Sequence, residues 1–531
     1  MPKIRTAQEL ARFGFGMLAF LGRRTTPARD RQAIQAMLRR RTEAFLALMA
    51  GAVYAVPQSP YRRLLQAAGC EFADLQRLVV TQELEEALQT LQRAGVYLTT
   101  RELRSGVVDR PGLAFEFTPE DVENPMSIPH FRSASGGSTG QPRTAGVSFQ
   151  AMADWLPHTG FMLHVHGLRN AEMAIYQPGK IALQNLLTLP ALGSPPARWF
   201  SIVPLSDRQH GLSGPMLRLL GLSRLRGVRL PAPEFVPVDN PLPVAQWIAA
   251  GARGRRARMV FTYPSAALAI CRVAAEAGLD LRAGAFSLTG EAVTPARREI
   301  FRQAGVKIVP RFAMSEVGHV ASACPASSSR DAPDDMHVWQ DLCALISYRR
   351  PVAGGLYEVD GLLFTTLLLS TSKVWLNTES DDFGTLRTCD CGCEFDQLGL
   401  RQHLSHVSSF GKFTSDVWAQ VINPRILPLL EETLPRRFGA QTGQFQLVEE
   451  PLQDGQRRLM LLIDPKVGDV DPQQVEAFFK AQLAAGLGTP DASGALPRIE
   501  VRRAVPIGTP GGKVMPYYQV SMWRQAPAAR A

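Results

Sequence analysis

Apolar and polar positions keep a helical rhythm over residues 30–56, with Arg and Glu on one side and Leu, Phe and Met on the other. Pro57-Gln58-Ser59-Pro60 breaks that run, and amphipathic stretches resume at 61–65 and 84–94. From residue 130 onward the rhythm changes to short apolar runs bounded by glycine. Segments 201–205 and 259–262 read as buried strands, 264–277 as a helix, 285–288 as a strand, 294–304 as a helix and 306–309 as a strand. Such alternation predicts an α/β fold with largely parallel pairing. Beyond residue 410 the pattern differs again. Strand-like 445–449 and 458–463 flank the turn signal Gln453-Asp454-Gly455, and a helix at 475–483 precedes a strand at 499–503. The expected organisation is a helical extension over 1–43, a large α/β domain over 44–409, and a small α+β cap over 410–531.

Length and composition fit this division. A chain of 531 residues with 45% hydrophobic and 20% charged positions reads as a globular enzyme of two domains. No apolar run is long enough to span a bilayer, and the short one at 13–21 is split by Gly14 and Gly16 and lacks a cleavage site. The expected location is the cytoplasm. Of the net charge of +10, residues 1–43 supply +7. A basic, partly apolar arm has two readings: a solvated helix packed on the main domain, or a peripheral contact with an anionic membrane. A homodimer is a further partner expectation, with no sequence signal of its own. Nucleic acid is not expected, because no aromatic platform interleaves with the Arg clusters.

The most informative stretch is Ser133-Ala134-Ser135-Gly136-Gly137-Ser138-Thr139-Gly140-Gln141-Pro142-Arg143. Its glycines allow tight turns that aim successive N–H groups into one concavity, and Ser135, Ser138, Thr139 and Arg143 add donors and charge. It suits a polyphosphate but is not a Walker A loop. Read alone, it is equally a plain Gly/Ser-rich surface loop.

The stretch resembles the phosphate loop of the adenylate-forming superfamily, which includes acyl-CoA synthetases, adenylation domains and luciferases. Arg143 stands where that family has Lys. Further stretches follow in family order. Thr289-Gly290-Glu291 is similar to the turn beside the adenine. Phe312-Ala313-Met314-Ser315-Glu316 is similar to Tyr-Gly-x-Thr/Ser-Glu, with Ala313 in place of glycine. There the resemblance implies an aromatic ring on adenine and Glu316 on Mg²⁺. Ser380-Asp381-Asp382-Phe383-Gly384 aligns with Thr-Gly-Asp-x-Gly, which implies Asp382 as the ribose ligand, with Asp381 the near alternative. Pro506-Ile507-Gly508-Thr509-Pro510-Gly511-Gly512-Lys513 resembles the C-terminal loop whose lysine steadies charge during acyl-adenylate formation. The hinge motif reads Gly411-Lys412, with Lys412 where relatives have an arginine on the ribose. The resemblance implies a large domain of mixed, largely parallel sheets and helices with a small mobile cap.

Within the superfamily, Tyr61-Arg62, Tyr263-Pro264-Ser265, Cys324 with His337-Val338-Trp339, and Cys389-Asp390-Cys391-Gly392 resemble the phenylacetate–CoA ligase branch. Seven cysteines, three of them within residues 389–393, fit a metal site better than a disulfide framework. The expected zinc ligands are Cys324, His337, Cys389 and Cys391, with Cys393, His403 and His406 as substitutes. Residues 150–255 fall outside the resemblance. His164 and His166 there read as a surface strand or helix end, or as substrate contacts.

The implied activity is ATP-dependent activation of an aromatic or medium-sized carboxylic acid to its acyl-AMP, with transfer to coenzyme A. Adenylation followed by transfer to an amine or a carrier-protein thiol is the second reading. A degenerate nucleotide-binding scaffold is the third.

Overall fold

The computed structural model describes residues 2–134, 144–207, 211–253, 256–327, 334–352, 357–409, 426–451, 457–487, 499–509 and 511–519. Twelve strands among them form one sheet. In chain order they are β1 (Glu172–Tyr176), β2 (Arg198–Ser201), β3 (Pro233–Phe235), β4 (Arg258–Thr262), β5 (Gly284–Leu288), β6 (Lys307–Met314), β7 (Gly318–Ala323), β8 (Met336–Val338), β9 (Cys343–Val352), β10 (Tyr357–Thr366), β11 (Thr378–Thr388) and β12 (Gln402–Ser409). Their order in space is β9-β10-β11-β12-β8-β7-β6-β5-β4-β1-β2-β3. The half from β3 to β6 is parallel and the half from β6 to β9 is antiparallel, so the α/β sheet is mixed. Within this sheet, parallel pairing is confined to the half built from strand–helix alternation. All five residues of β5 are buried, as expected for a strand covered by helices on both faces. Strand β2 ends at Ser201, where the apolar pattern places a start.

The basic extension is part of this core. Helix α1 (Pro2–Leu21) buries Phe13, Met17, Phe20 and Leu21. Phe13 and Phe20 pack on Phe149, at 5.6 and 5.7 Å between ring centres, and Phe13 meets Phe131 edge-on. Helix α2 (Pro27–Arg39) buries Asp30, whose carboxylate is held by Thr25 and by Arg169 at 2.6 Å. Arg12, Arg23 and Arg24 stay exposed. The apolar face of the arm is packed on the main domain. Among the described residues no helix is long and apolar enough to cross a membrane.

The C-terminal strands β13 (Phe445–Pro451), β14 (Arg457–Ile463), β15 (Ile499–Arg503) and β16 (Tyr517–Gln519) form a second sheet, ordered β15-β14-β13-β16. Helix Pro472–Leu487 follows β14, and Leu447, Leu461, Ile463, Val475 and Phe479 make a core of their own. The turn signal at Gln453-Asp454-Gly455 lies outside the described residues; the strands on either side of it pair antiparallel.

Candidate active site

At the carboxyl ends of β4, β5 and β6 lies a cavity of about 380 Å³, where ligands sit in open α/β sheets. Its wall brings together Gly290, Glu291, Phe312–Glu316, Asp382 and Lys513, residues that lie far apart in sequence. The loop residues Ser135, Gly136, Gly137, Ser138, Thr139, Gly140 and Arg143 lie outside the described residues, as does Lys412. The strands on either side of positions 135–143, Phe131–Ala134 and Thr144–Val147, pair antiparallel, and Val147 lines the cavity.

Lys513 arrives from the C-terminal segment and is buried. Its ammonium donates to the Gly290 carbonyl at 2.9 Å and lies 4.8 Å from the centre of the Tyr263 ring. The Lys513 backbone is fixed in a tight turn by Thr509, whose N–H donates to the Lys513 carbonyl at 2.7 Å. Val514 N–H donates to Ser265 Oγ at 3.2 Å. Gly290 has φ +82°, which favours glycine, and a side chain there would also displace the Lys513 ammonium, 2.8 Å away.

Glu291 lines the same cavity and is also tied into the protein around it. Its carboxylate accepts from Ser265 N–H and Oγ, at 3.0 and 2.6 Å, and pairs with Arg297 at 2.9 Å. Arg297 in turn pairs with Glu431 at 2.8 Å, and all three side chains are almost fully buried. The two carboxylates raise the Arg297 pKa against the opposing effect of burial, which is the largest single influence on it. This buried triad ties the strand-end turn to the segment preceding the second sheet. Sequence reasoning missed Arg297 and Glu431, because no local spacing links positions 134 residues apart.

The motif at 312–316 sits where β6 turns into β7. The β6–β7 register shifts between Phe312 and Ala313, a bulge of the kind that re-aims side chains beside active sites. Phe312 packs on Phe364 at 6.0 Å, and Glu316 is buried against the cavity. In β11, Asp381 has φ +69°, the conformation a glycine would supply, and Asp is among the few side chains that tolerate it. Its carboxylate is already held by Arg104 at 2.6 Å and faces Arg350 at 3.7 Å. Asp382 is half-buried and accepts from Ser380 Oγ at 2.7 Å. Both line the cavity.

The helix α3 (Phe149–Val165) turns Met152, Trp155 and Thr159 to the cavity, one face at helical spacing. Trp155 stacks on His319 at 5.6 Å and lies against Gly318, where any side chain would strike the indole. His164 and His166 are elsewhere, at the end of α3. His166 Nε2 meets the Ala323 carbonyl at 3.0 Å, and burial pushes its pKa down to about 4. Trp199 is core.

A second cluster lies beyond β7 and β8. The donor atoms of Cys324, His337, Cys391 and Cys393 all fall within 4.8 Å of one another. Cys324 and Cys391 sulfurs are 3.7 Å apart, and His337 Nε2 is 3.5 Å from Cys391 and 3.2 Å from Cys393. His337 Nδ1 donates to the Leu400 carbonyl at 2.6 Å, which leaves Nε2 with its lone pair toward the sulfurs. The Cys393 thiol pKa is lowered, first by its hydrogen bond from Cys324. Cys389, expected in this group, is outside it: its N–H still pairs with Arg401 at 3.0 Å, as an extension of the β11–β12 ladder. Gly392, at φ +72°, turns the chain so that Cys393 comes back to His337 in its place. His403 belongs to a neighbouring group with Cys324 and Asp335.

No family model and no curated protein sequence matches the chain. Among solved structures the chain is similar to 2-hydroxyisobutyryl-CoA ligase in the postadenylation state with 2-HIB-AMP. Identity is 14% and the TM-score 0.52, over 91% of this chain and 89% of that one. The same ligase with R3-HIB-AMP gives the same values. A likeness at this identity bears on the fold alone.

Proposed function

From an adenylate-forming fold as the premise, we propose that this protein activates a carboxylic acid as its acyl-AMP at the cost of ATP and passes the acyl group to coenzyme A. The observation that carries this reading is Lys513, buried at the Gly290 turn and facing the same cavity as Glu316 and Asp382. A carboxylate oxygen of the acid attacks the α-phosphorus, the bond to the β-phosphate breaks, and pyrophosphate leaves. Lys513 offsets the charge that builds between carboxylate and α-phosphate, a task suited to a fixed donor in a water-poor site. Asp382 holds the ribose hydroxyls. Phe312 and the Gly290 turn bound the adenine, with Ala313, Met314 and Ser315 as the strand beside it. Ser135–Gly140 and Arg143 hold the departing phosphates, and Lys412 meets the ribose from the hinge. Glu316 is the carboxylate that would hold the magnesium ion accompanying ATP, which would neutralise phosphate charge. In the second half-reaction the thiol sulfur attacks the acyl carbonyl, loses its proton and displaces AMP. Residues 410–531 act as the cap that moves between the two steps, a hinge motion in kind. The phenylacetate–CoA ligase branch and a cytoplasmic location belong to this same reading.

The test is acid-dependent ATP–pyrophosphate exchange across aryl, aliphatic and amino acids. Lys513→Ala should cut exchange by roughly 100- to 1,000-fold while leaving the melting temperature close to wild type. A folded, ATP-binding protein that exchanges with no acid would refute the proposal.

We further propose that Cys324, His337, Cys391 and Cys393 hold a structural zinc. Three thiolates and one imidazole are the donor set of closed zinc sites, and tetrahedral bonds of ~2.3 Å place ligand sulfurs ~3.8 Å apart. The observed sulfur separation of 3.7 Å fits. The ion would clip the segment after β7 to the loop between β11 and β12, on either side of the nucleotide. Purified protein should carry zinc; Cys393→Ser should lose it and melt earlier, whereas Cys389→Ser should keep both. Zinc retained by the first variant or lost by the second would rule out this ligand set.

A further inference from the structure

The cavity wall holds residues beyond those given nucleotide roles above. One of them is Arg311, the residue before Phe312 in β6, where strand alternation turns successive side chains to opposite faces. The Arg311 guanidinium reaches to the Phe261 ring, 5.1 Å from its centre. No carboxylate among the described residues pairs with it, and its buried Nε has no hydrogen-bond partner. Two more buried donors on the α3 face of this cavity lack partners, Trp155 Nε1 and Thr159 Oγ1. The neighbouring ring, His319, is no rival cation: burial, and then the charge of Arg311, push its pKa down to about 3. Burial also lowers the Arg311 pKa, to about 10, which still leaves it charged at neutral pH.

A half-buried cation in a cavity that also holds unsatisfied buried donors is a costly arrangement unless an anion completes it. The anion is not the reacting carboxylate. That group belongs at Lys513, which lies over Tyr263, the extended residue just past the end of β4, whereas Arg311 lies over Phe261, two residues further back in β4. Two residues of strand amount to about 7 Å. We propose that the acid taken by this pocket is a dicarboxylate, with its second carboxylate seated on Arg311 and Trp155 Nε1 and Thr159 Oγ1 as further donors. Arg311 is then the residue that determines specificity. This rests on the adenylation reading and names its substrate class.

The experiment compares matched pairs in pyrophosphate exchange with the full chain: succinate against butyrate, glutarate against valerate, and phthalate against benzoate. The wild type should prefer the diacid in at least one pair by roughly 10- to 100-fold in kcat/KM. Arg311→Met should erase that preference while monoacid exchange stays, and Arg311→Lys should keep part of it. Equal loss for every acid in Arg311→Met, or a wild-type preference for monoacids, would overturn the proposal. A thermal-shift series with the same acids separates the two readings. If no acid supports exchange, adenylation fails; a diacid-specific rise in melting temperature that Arg311→Met abolishes still supports the subsite, and its absence overturns it.

Discussion

Removal of residues 2–24 should leave a chain that does not reach a stable fold by itself. The deleted helix buries Phe13, Met17, Phe20 and Leu21 against Phe131 and Phe149. At roughly 1.5–3 kcal/mol for each large apolar side chain, the loss is about 6–12 kcal/mol, comparable with the whole stability of a domain. The newly bared surface includes Phe131, at the start of the strand that leads to the proposed phosphate loop. Arg226 also loses the Leu18 carbonyl, to which it donates at 2.9 Å. The measurement is the soluble yield and melting curve of the truncated protein. A soluble product that melts within a few degrees of wild type would show that the extension is an ornament.

Arg297→Met should destabilise the protein by about 3–5 kcal/mol at neutral pH. Methionine fills much of the same space but leaves Glu291 and Glu431 buried without their shared cation. Ser265 and Thr294 still donate to them, which neutral hydroxyls cannot turn into charge compensation. The triple variant Arg297→Met, Glu291→Gln, Glu431→Gln should recover most of the loss, because a buried ionic group replaced as a whole costs far less than one broken in part. Denaturant melts of the single and triple variants provide the check. A loss under about 1 kcal/mol for Arg297→Met would mean that water reaches the triad and screens it. The single variant should also weaken nucleotide-dependent activity, since Glu291 fixes the Gly290 turn on which Lys513 rests.

Much of the candidate site was legible because its motifs record local needs of the backbone. Gly290 is a glycine for its positive φ, and Asp381 fills a left-handed position that its type allows. Gly512 does the same before Lys513. Such demands act over a few residues, so they leave a mark in sequence order. The same holds for the periodicities behind helix Pro264–Glu276, strand β5 and helix Pro295–Gln303, which appear within a few residues of where the pattern put them.

By itself the sequence determined the order of the motifs and the type of the elements whose periodicity is local, such as helix Pro264–Glu276, strand β5 and helix Pro295–Gln303. Tertiary structure alone decided which groups meet. Cys393 rather than Cys389 joins His337 because the turn at Gly392 reverses the chain between them, which spacing does not reveal. Arg297 finds Glu431, and Arg311 is left facing a cavity, through packing between distant strands and helices. The antiparallel half of the sheet was likewise hidden, since a strand's neighbours depend on how the whole sheet closes. The basic arm had two readings in sequence because charge is read residue by residue. Its buried face exists only once Phe131 and Phe149 are there to receive it, and burial of shared apolar surface is a property of two partners, not of one segment.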